Sequence, residues 1–110
     1  MILVIGPLFA GKESYIRSAL GLSKEGFAAC AVRDVQDLLP CEDPEALADR
    51  LAENRIVLIT EIGSGVVPTD PEERRKREEA GRFGCMLAER AETVIRVCCG
   101  LPQLLKGAWP

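Results

Sequence analysis

Four apolar residues in succession, Ile2, Leu3, Val4 and Ile5, run directly into Gly6-Pro7-Leu8-Phe9-Ala10-Gly11-Lys12. A run this short and apolar at every position fits a strand covered on both faces, as in a parallel sheet with helices above and below. A parallel strand needs a crossover after it. The following residues supply one: Tyr15, Ile16, Ala19 and Leu20 recur at helical spacing, from a start near Gly11 or Lys12 to a stop near Gly21.

The alternation continues. Residues 27–32 (FAACAV) predict a second buried strand, followed by a polar stretch with a short helical turn at VQDLL. Asp43 before Pro44 is a helix start, cap then first residue, leading into the stripe Ala46, Leu47, Ala48, Leu51 and Ala52. Residues 56–60 (IVLIT) form the strongest strand pattern and lead into the loop EIGSGVVP. Asp70, Pro71 and Glu73 open a long helix whose stripe is Ala80, Phe83, Gly84, Leu87 and Ala91. Residues 93–98 (TVIRVC) read as a fourth strand, and GLPQLLKGAWP as a turn-rich tail with an apolar centre. The order β-α-β-α-β-α-β predicts an α/β fold: a small parallel sheet of about four strands with flanking helices. At 110 residues the chain is expected to be one domain, residues 1–110. A sheet this small needs its edges covered, which points to a homo-oligomer.

With 47% apolar and 28% charged residues the balance is globular. The net charge of -3 gives no general attraction to nucleic acid or anionic lipid, so any anion must be held locally. The apolar start is too short for a signal peptide or a membrane span, which predicts a cytoplasmic protein. The five cysteines (Cys30, Cys41, Cys85, Cys98 and Cys99) are odd in number and form no CxxC pair. They read as reduced, mostly buried thiols, with Cys98 and Cys99 on opposite faces of a strand. No histidine occurs, which removes histidine bases, ligands and covalent intermediates.

Residues 6–12 satisfy G-x-x-x-x-G-K between a buried strand and a helix. Such a loop leaves backbone N–H groups free to surround phosphate oxygens. The helix start adds about half a positive charge, and the lysine reaches the outer phosphates. The expected nucleotide-binding residues are Gly6, Pro7, Leu8, Phe9, Ala10, Gly11, Lys12, Glu13 and Ser14, with Lys12 also catalytic. The bland alternative is an ordinary turn that contains glycines. Glu13 stands where a Ser or Thr hydroxyl would meet Mg²⁺. At about 4 Å and an effective dielectric near 20, one like-charge pair costs roughly 4 kcal/mol. That penalty falls if Mg²⁺ bridges carboxylate and phosphate, or if Glu13 turns away.

In open parallel sheets, ligands sit beyond the carboxyl ends of the strands. Asp34 follows the second strand and Glu61 the third, so both fall on the loop's side. Asp34 is the candidate metal ligand, and Glu61 a candidate catalytic group that places Mg²⁺ or the acceptor hydroxyl. Each has an alternative as a solvated or capping residue. The run EERRKREE (residues 72–79) reads as a solvated helix face, or as a source of an arginine for a phosphate.

Two stretches carry a family resemblance. Glu61-Ile62-Gly63-Ser64-Gly65-Val66-Val67-Pro68 and Gly100-Leu101-Pro102-Gln103-Leu104-Leu105-Lys106 resemble the N-E-V-G-x-G-I-V-P and G-x-P-x-x-L-K motifs of the bifunctional adenosylcobinamide kinase/adenosylcobinamide-phosphate guanylyltransferases of cobalamin biosynthesis. The opening MILVIGPLFAGKES is similar to that family's first strand and phosphate loop, so the resemblance covers residues 1–17 and 56–107. It implies a RecA-like P-loop NTPase fold, Mg²⁺ with ATP or GTP, a corrinoid substrate phosphorylated on its aminopropanol hydroxyl, and assembly as a trimer. It also implies GMP transfer through a covalent histidine, which this sequence lacks along with the segment that would carry it. Asp34, in ACAVRDV, is the one match for the family's metal-binding aspartate. Three readings follow: a shortened kinase, a nucleotide binder without catalysis, or a scaffold whose role is assembly.

Overall fold

The computed structural model describes residues 1–62 and 69–110. Residues 63–68, the glycine-rich part of the EIGSGVVP motif, lie outside the described residues.

The elements run β1 (Ile2–Gly6), α1 (Lys12–Leu20), α2 (Lys24–Cys30), β2 (Ala31–Val32), a 3-10 turn (Val35–Leu38), α3 (Pro44–Leu51), β3 (Ile56–Thr60), α4 (Pro71–Arg90), β4 (Thr93–Cys98) and β5 (Leu101–Lys106). Among the described residues these strands form one sheet in the order β2-β3-β1-β4-β5. β1 pairs in parallel with β3 and with β4, and β2 in parallel with β3. β5 folds back antiparallel on β4.

Both faces of β1 are covered, as its unbroken apolar run requires. Val4 joins Ile56, Leu58, Ile95 and Val97 beneath Ile16 of α1 and Phe27 of α2. Leu3 joins Val57, Ile59 and Val94 beneath Ala48 and Leu51 of α3 and Phe83 and Leu87 of α4. The helices thus form layers on either side of the sheet. Asp43 caps α3 by accepting from the Ala46 N–H, and Asp70 caps α4 by accepting from the Glu72 N–H. Between the two helices Arg90 pairs with Glu45 and with Asp49. The first residues of α4 are exposed, the solvated face expected of EERRKREE.

Four sequence expectations are corrected. Residues 27–32 are not a strand throughout: residues 24–30 are helix α2, and β2 is only Ala31–Val32. Short apolar runs do not distinguish helix from strand, and here Ser23 settles the matter by accepting the Gly26 N–H as a helix cap. The tail is not merely turn-rich: it holds β5, a fifth and antiparallel strand added to the four parallel ones. Pro102 is compatible with that position because β5 is an edge strand. The turn into β5 is Cys99-Gly100, with φ of 53° and 73°, the left-handed pair of a two-residue hairpin. Cys99 therefore sits in a turn rather than opposite Cys98 on a strand. Nor are the thiols mostly buried: all five are free, with Cys85, Cys98 and Cys99 exposed and the other two half-buried.

Gly6 is fixed by packing as well as by the loop that follows it. A Cβ at this position would lie 2.2 Å from the Val97 carbonyl oxygen of β4. Gly6→Ala should therefore lower stability by about 2–3 kcal/mol, read as the urea midpoint, because two paired backbones must separate. Gly81 lies within α4, and a Cβ there meets nothing within 4 Å. Gly81→Ala is expected to raise stability by up to about 1 kcal/mol in the same assay.

Candidate functional site

The connection from β1 to α1 alternates backbone hands. Phe9 (φ 60°) and Gly11 (φ 86°) are both left-handed. Alternation of this kind turns successive N–H groups toward one concave side. The loop is braced at three points. The Gly6 carbonyl accepts the Glu61 N–H at 2.8 Å, the Pro7 carbonyl accepts the Ala10 N–H at 3.3 Å, and the Ala10 carbonyl accepts the Gly100 N–H at 2.8 Å. Its tip is open to solvent, with Leu8 66% and Phe9 94% exposed. A phenylalanine both left-handed and exposed is unfavourable on either count, and such strain gathers at ligand-binding loops.

Helix α1 begins at Gly11, which offers no side-chain cap. The amides of its first turn are thus left to an outside acceptor, with the positive end of the helix behind them. Lys12 folds back along the loop, its Nζ donating to the carbonyls of Pro7 (2.8 Å) and Gly6 (3.2 Å). Burial pushes its pKa down, and the nearby carboxylates Asp34 and Glu61 act in the opposite direction.

Lys12, Glu13 and Ser14 share a cleft of about 340 Å³ with Arg33, Asp34 and Thr60. Asp34 comes to the cleft because β2 ends two residues earlier and the chain turns left-handed at Asp34 itself (φ 54°). The Thr60 hydroxyl donates to Asp34 Oδ1 at a long 3.5 Å, and the Thr60 N–H donates to Gln36 Oε1 at 3.0 Å. These bonds join the end of β3 to the end of β2. Glu13 is turned to Arg33, its carboxylate 2.5 Å from the guanidinium. The Glu13 carboxylate is thus engaged by a cation on the far side of the cleft.

Glu61 is placed differently. Arg96 of β4 grips its carboxylate in a two-point ion pair, Nε to Oε1 at 2.7 Å and Nη2 to Oε2 at 3.0 Å. Glu61 lines a second cavity of about 430 Å³ on the α4 side of the sheet, with Ile59, Ala80, Gly84 and Leu105. Thr60 borders both cavities. The two candidate acids thus stand on either side of the β3 end, Asp34 in the loop's cleft and Glu61 in the neighbouring groove.

Residues 28–105 match the model of a family described as cobinamide kinase / cobinamide phosphate guanyltransferase. This chain belongs to that family. It is also 41% identical, over 71% of its length, to the bifunctional adenosylcobalamin biosynthesis protein CobP of Pseudomonas aeruginosa. The chain spans about half the length of that relative, 51%. The family resemblance drawn from the sequence is thereby borne out, as is an α/β fold of the P-loop NTPase type. The matched stretch begins at residue 28, after the glycine loop, so the loop stands on its own geometry. Among the described residues, no helix is long and apolar enough to cross a membrane.

Sequence reasoning singled out the loop, Asp34 and Glu61 but passed over Arg33, Gln36, Thr60 and Arg96. Arg33 and Thr60 were accessible to the rule that found Asp34, since each stands at the carboxyl end of a strand. Arg96 was not: the pairing of β1 with β4 brings it beside β3's end, and no spacing in the sequence announces that. Among the described residues no three His, Cys, Asp or Glu side chains cluster as a metal site. One carboxylate, Asp34, with the Thr60 hydroxyl is nevertheless a fitting set for Mg²⁺. That ion takes only one or two protein carboxylates and completes its shell with phosphate and water.

The Arg96 hydrogen bonds hold the Glu61 carboxyl below the usual carboxylate range, with burial partly opposing. A depressed folded-state pKa contributes stability above the unfolded value, and that stability is lost as pH falls through the folded one. Glu61→Gln should therefore lower the thermal midpoint at pH 7. The gap from wild type should close on acidification below the ordinary carboxylate range, followed by circular dichroism melts across pH.

Proposed function

We propose that residues 1–110 act as one nucleotide-binding unit, a relative of adenosylcobinamide kinase that transfers a phosphoryl group from ATP or GTP in cobalamin biosynthesis. The observation that carries the reading is the pairing of an uncapped α1 start with a left-handed, lysine-closed loop. Together these offer backbone donors, a helix dipole and one lysine cation to a polyphosphate.

In this reading the free N–H groups between Leu8 and Ser14 surround the phosphates; Pro7 has none to offer, and the Ala10 N–H is already given to the Pro7 carbonyl. Lys12 exchanges the Gly6 and Pro7 carbonyls for the outer phosphate oxygens, which carry full charge and are better acceptors. Asp34, steadied by Thr60, would hold Mg²⁺, which on binding supplies charge neutralisation to the phosphates. Phosphoryl transfer depends mainly on position and electrostatics, so a small site suffices. Glu61 lies within electrostatic reach of Lys12, and Arg96 fixes its carboxylate. In this reading Glu61 would orient an acceptor hydroxyl, and the apolar groove beside it would take an apolar part of the acceptor. GMP transfer through a histidine has no nucleophile here, since none of the 110 residues is histidine.

One observation favours a second reading, nucleotide binding without transfer: the residue after Lys12 is Glu13, so the hydroxyl that would meet the metal is absent. Thermal shift and turnover assays with MgATP and MgGTP separate the two. Both readings expect wild-type stabilisation of about 2.7 kcal/mol at 100 times Kd, lost in Lys12→Ala. The kinase alone expects nucleoside diphosphate release in the presence of a cobinamide. Stabilisation that Lys12→Ala leaves intact would remove the loop from both.

The exposed edge also fits a homo-oligomer, which in this reading works in the cytoplasm. On and beyond β5, Leu101 (71% exposed), Leu105 (50%) and Trp109 (54%) offer apolar area to another copy. Light scattering should give a mass above the 12.0 kDa of one chain. A monomer at high concentration would refute that part of the reading.

A further inference from the structure

Glu13 departs furthest from the phosphate-loop pattern, and its surroundings supply a reason why the departure is tolerated. The carboxylate stands in the first turn of α1, where the helix amides attract negative charge. Left to itself it would compete for those amides and repel an incoming phosphate. Arg33 meets it instead, across the cleft that both line with Lys12. The guanidinium is in turn located by Phe27, lying 5.3 Å from the centre of that ring. Phe27 is a core residue, 1% exposed. The arginine therefore rests against something that does not move.

We propose that Arg33 is a positioning residue for the phosphate loop. It draws the Glu13 carboxylate off the mouth of the loop and cancels its charge, so that a nucleoside polyphosphate binds beside a carboxylate that would otherwise exclude it. This rests on the nucleotide reading above. The pair is ill suited to a role in stability, since its side chains are 57% and 38% exposed and such pairs contribute little to folding. An arginine suits the task better than a lysine, because its fork can hold a carboxylate while its flat face lies against an aromatic ring.

The test is equilibrium binding of MgATP and MgGTP, by calorimetry, to the whole 110-residue chain. The variants are Lys12→Ala, Arg33→Ala, Glu13→Gln and the Glu13→Gln/Arg33→Ala pair. Arg33→Ala should weaken binding about tenfold or more at low salt, because a partly screened like charge is restored beside the phosphates. The loss should shrink at high salt. Glu13→Gln should return binding in the Arg33→Ala background to near the wild-type value, a rescue that a merely structural arginine would not show. Unfolding midpoints of all four variants confirm that each is folded. Lys12-dependent binding that Arg33→Ala leaves unchanged overturns the role of Arg33 alone. Failure of Glu13→Gln to rescue also overturns it, by making Arg33 a direct phosphate ligand. Absence of Lys12-dependent binding in the wild type overturns the nucleotide reading and the role of Arg33 with it.

Discussion

The central strand has no face to spare. β1 is hydrogen-bonded along both edges and covered above and below, so its residues are apolar at each position and its end is held against β3 and β4 alike. Gly6 is where this confinement is tightest, since the Val97 carbonyl occupies the space of a Cβ. The loop beyond it starts from a point the sheet has already fixed. From there the Pro7–Ala10 turn and the left-handed Gly11 set the direction of α1. The position of Lys12 follows from the sheet rather than from the loop alone.

What the sequence made legible is what local pattern controls. β1, β3, β4, the helix starts at Asp43 and Asp70, and the loop with its lysine all announce themselves through short-range periodicity and capping chemistry. Residues 27–32 did not, because an apolar hexapeptide suits either conformation, and the deciding hydrogen bond comes from Ser23 upstream. β5 was hidden for another reason. Its strand character depends on pairing with β4, while proline and glycine within and beside it suggest a turn when read alone.

The candidate site divides along the same line. The loop and Asp34 could be placed from sequence because a strand's carboxyl end is a local property. That Glu61 would be clasped by Arg96, and Glu13 by Arg33, could not. Each pair joins residues that meet only once the strand order β2-β3-β1-β4 is set. Two acids that look equivalent along the chain thereby acquire different surroundings. Asp34 faces the loop's cleft with a hydroxyl beside it, and Glu61 a groove with a guanidinium in its grip.

The bond from the Gly100 N–H to the Ala10 carbonyl makes the hairpin turn a stop against one flank of the loop. Gly11 lies beside the same turn, where a Cβ would sit 3.4 Å from the Gly100 Cα, an ordinary contact distance. On the other flank the Glu61 N–H holds the Gly6 carbonyl where the loop leaves β1, and the Glu13–Arg33 pair links the start of α1 to the chain beyond β2. The loop is thereby tied to β3, to the β4–β5 hairpin and to the chain beyond β2 at once, so a change in any of these three neighbours is felt at Lys12.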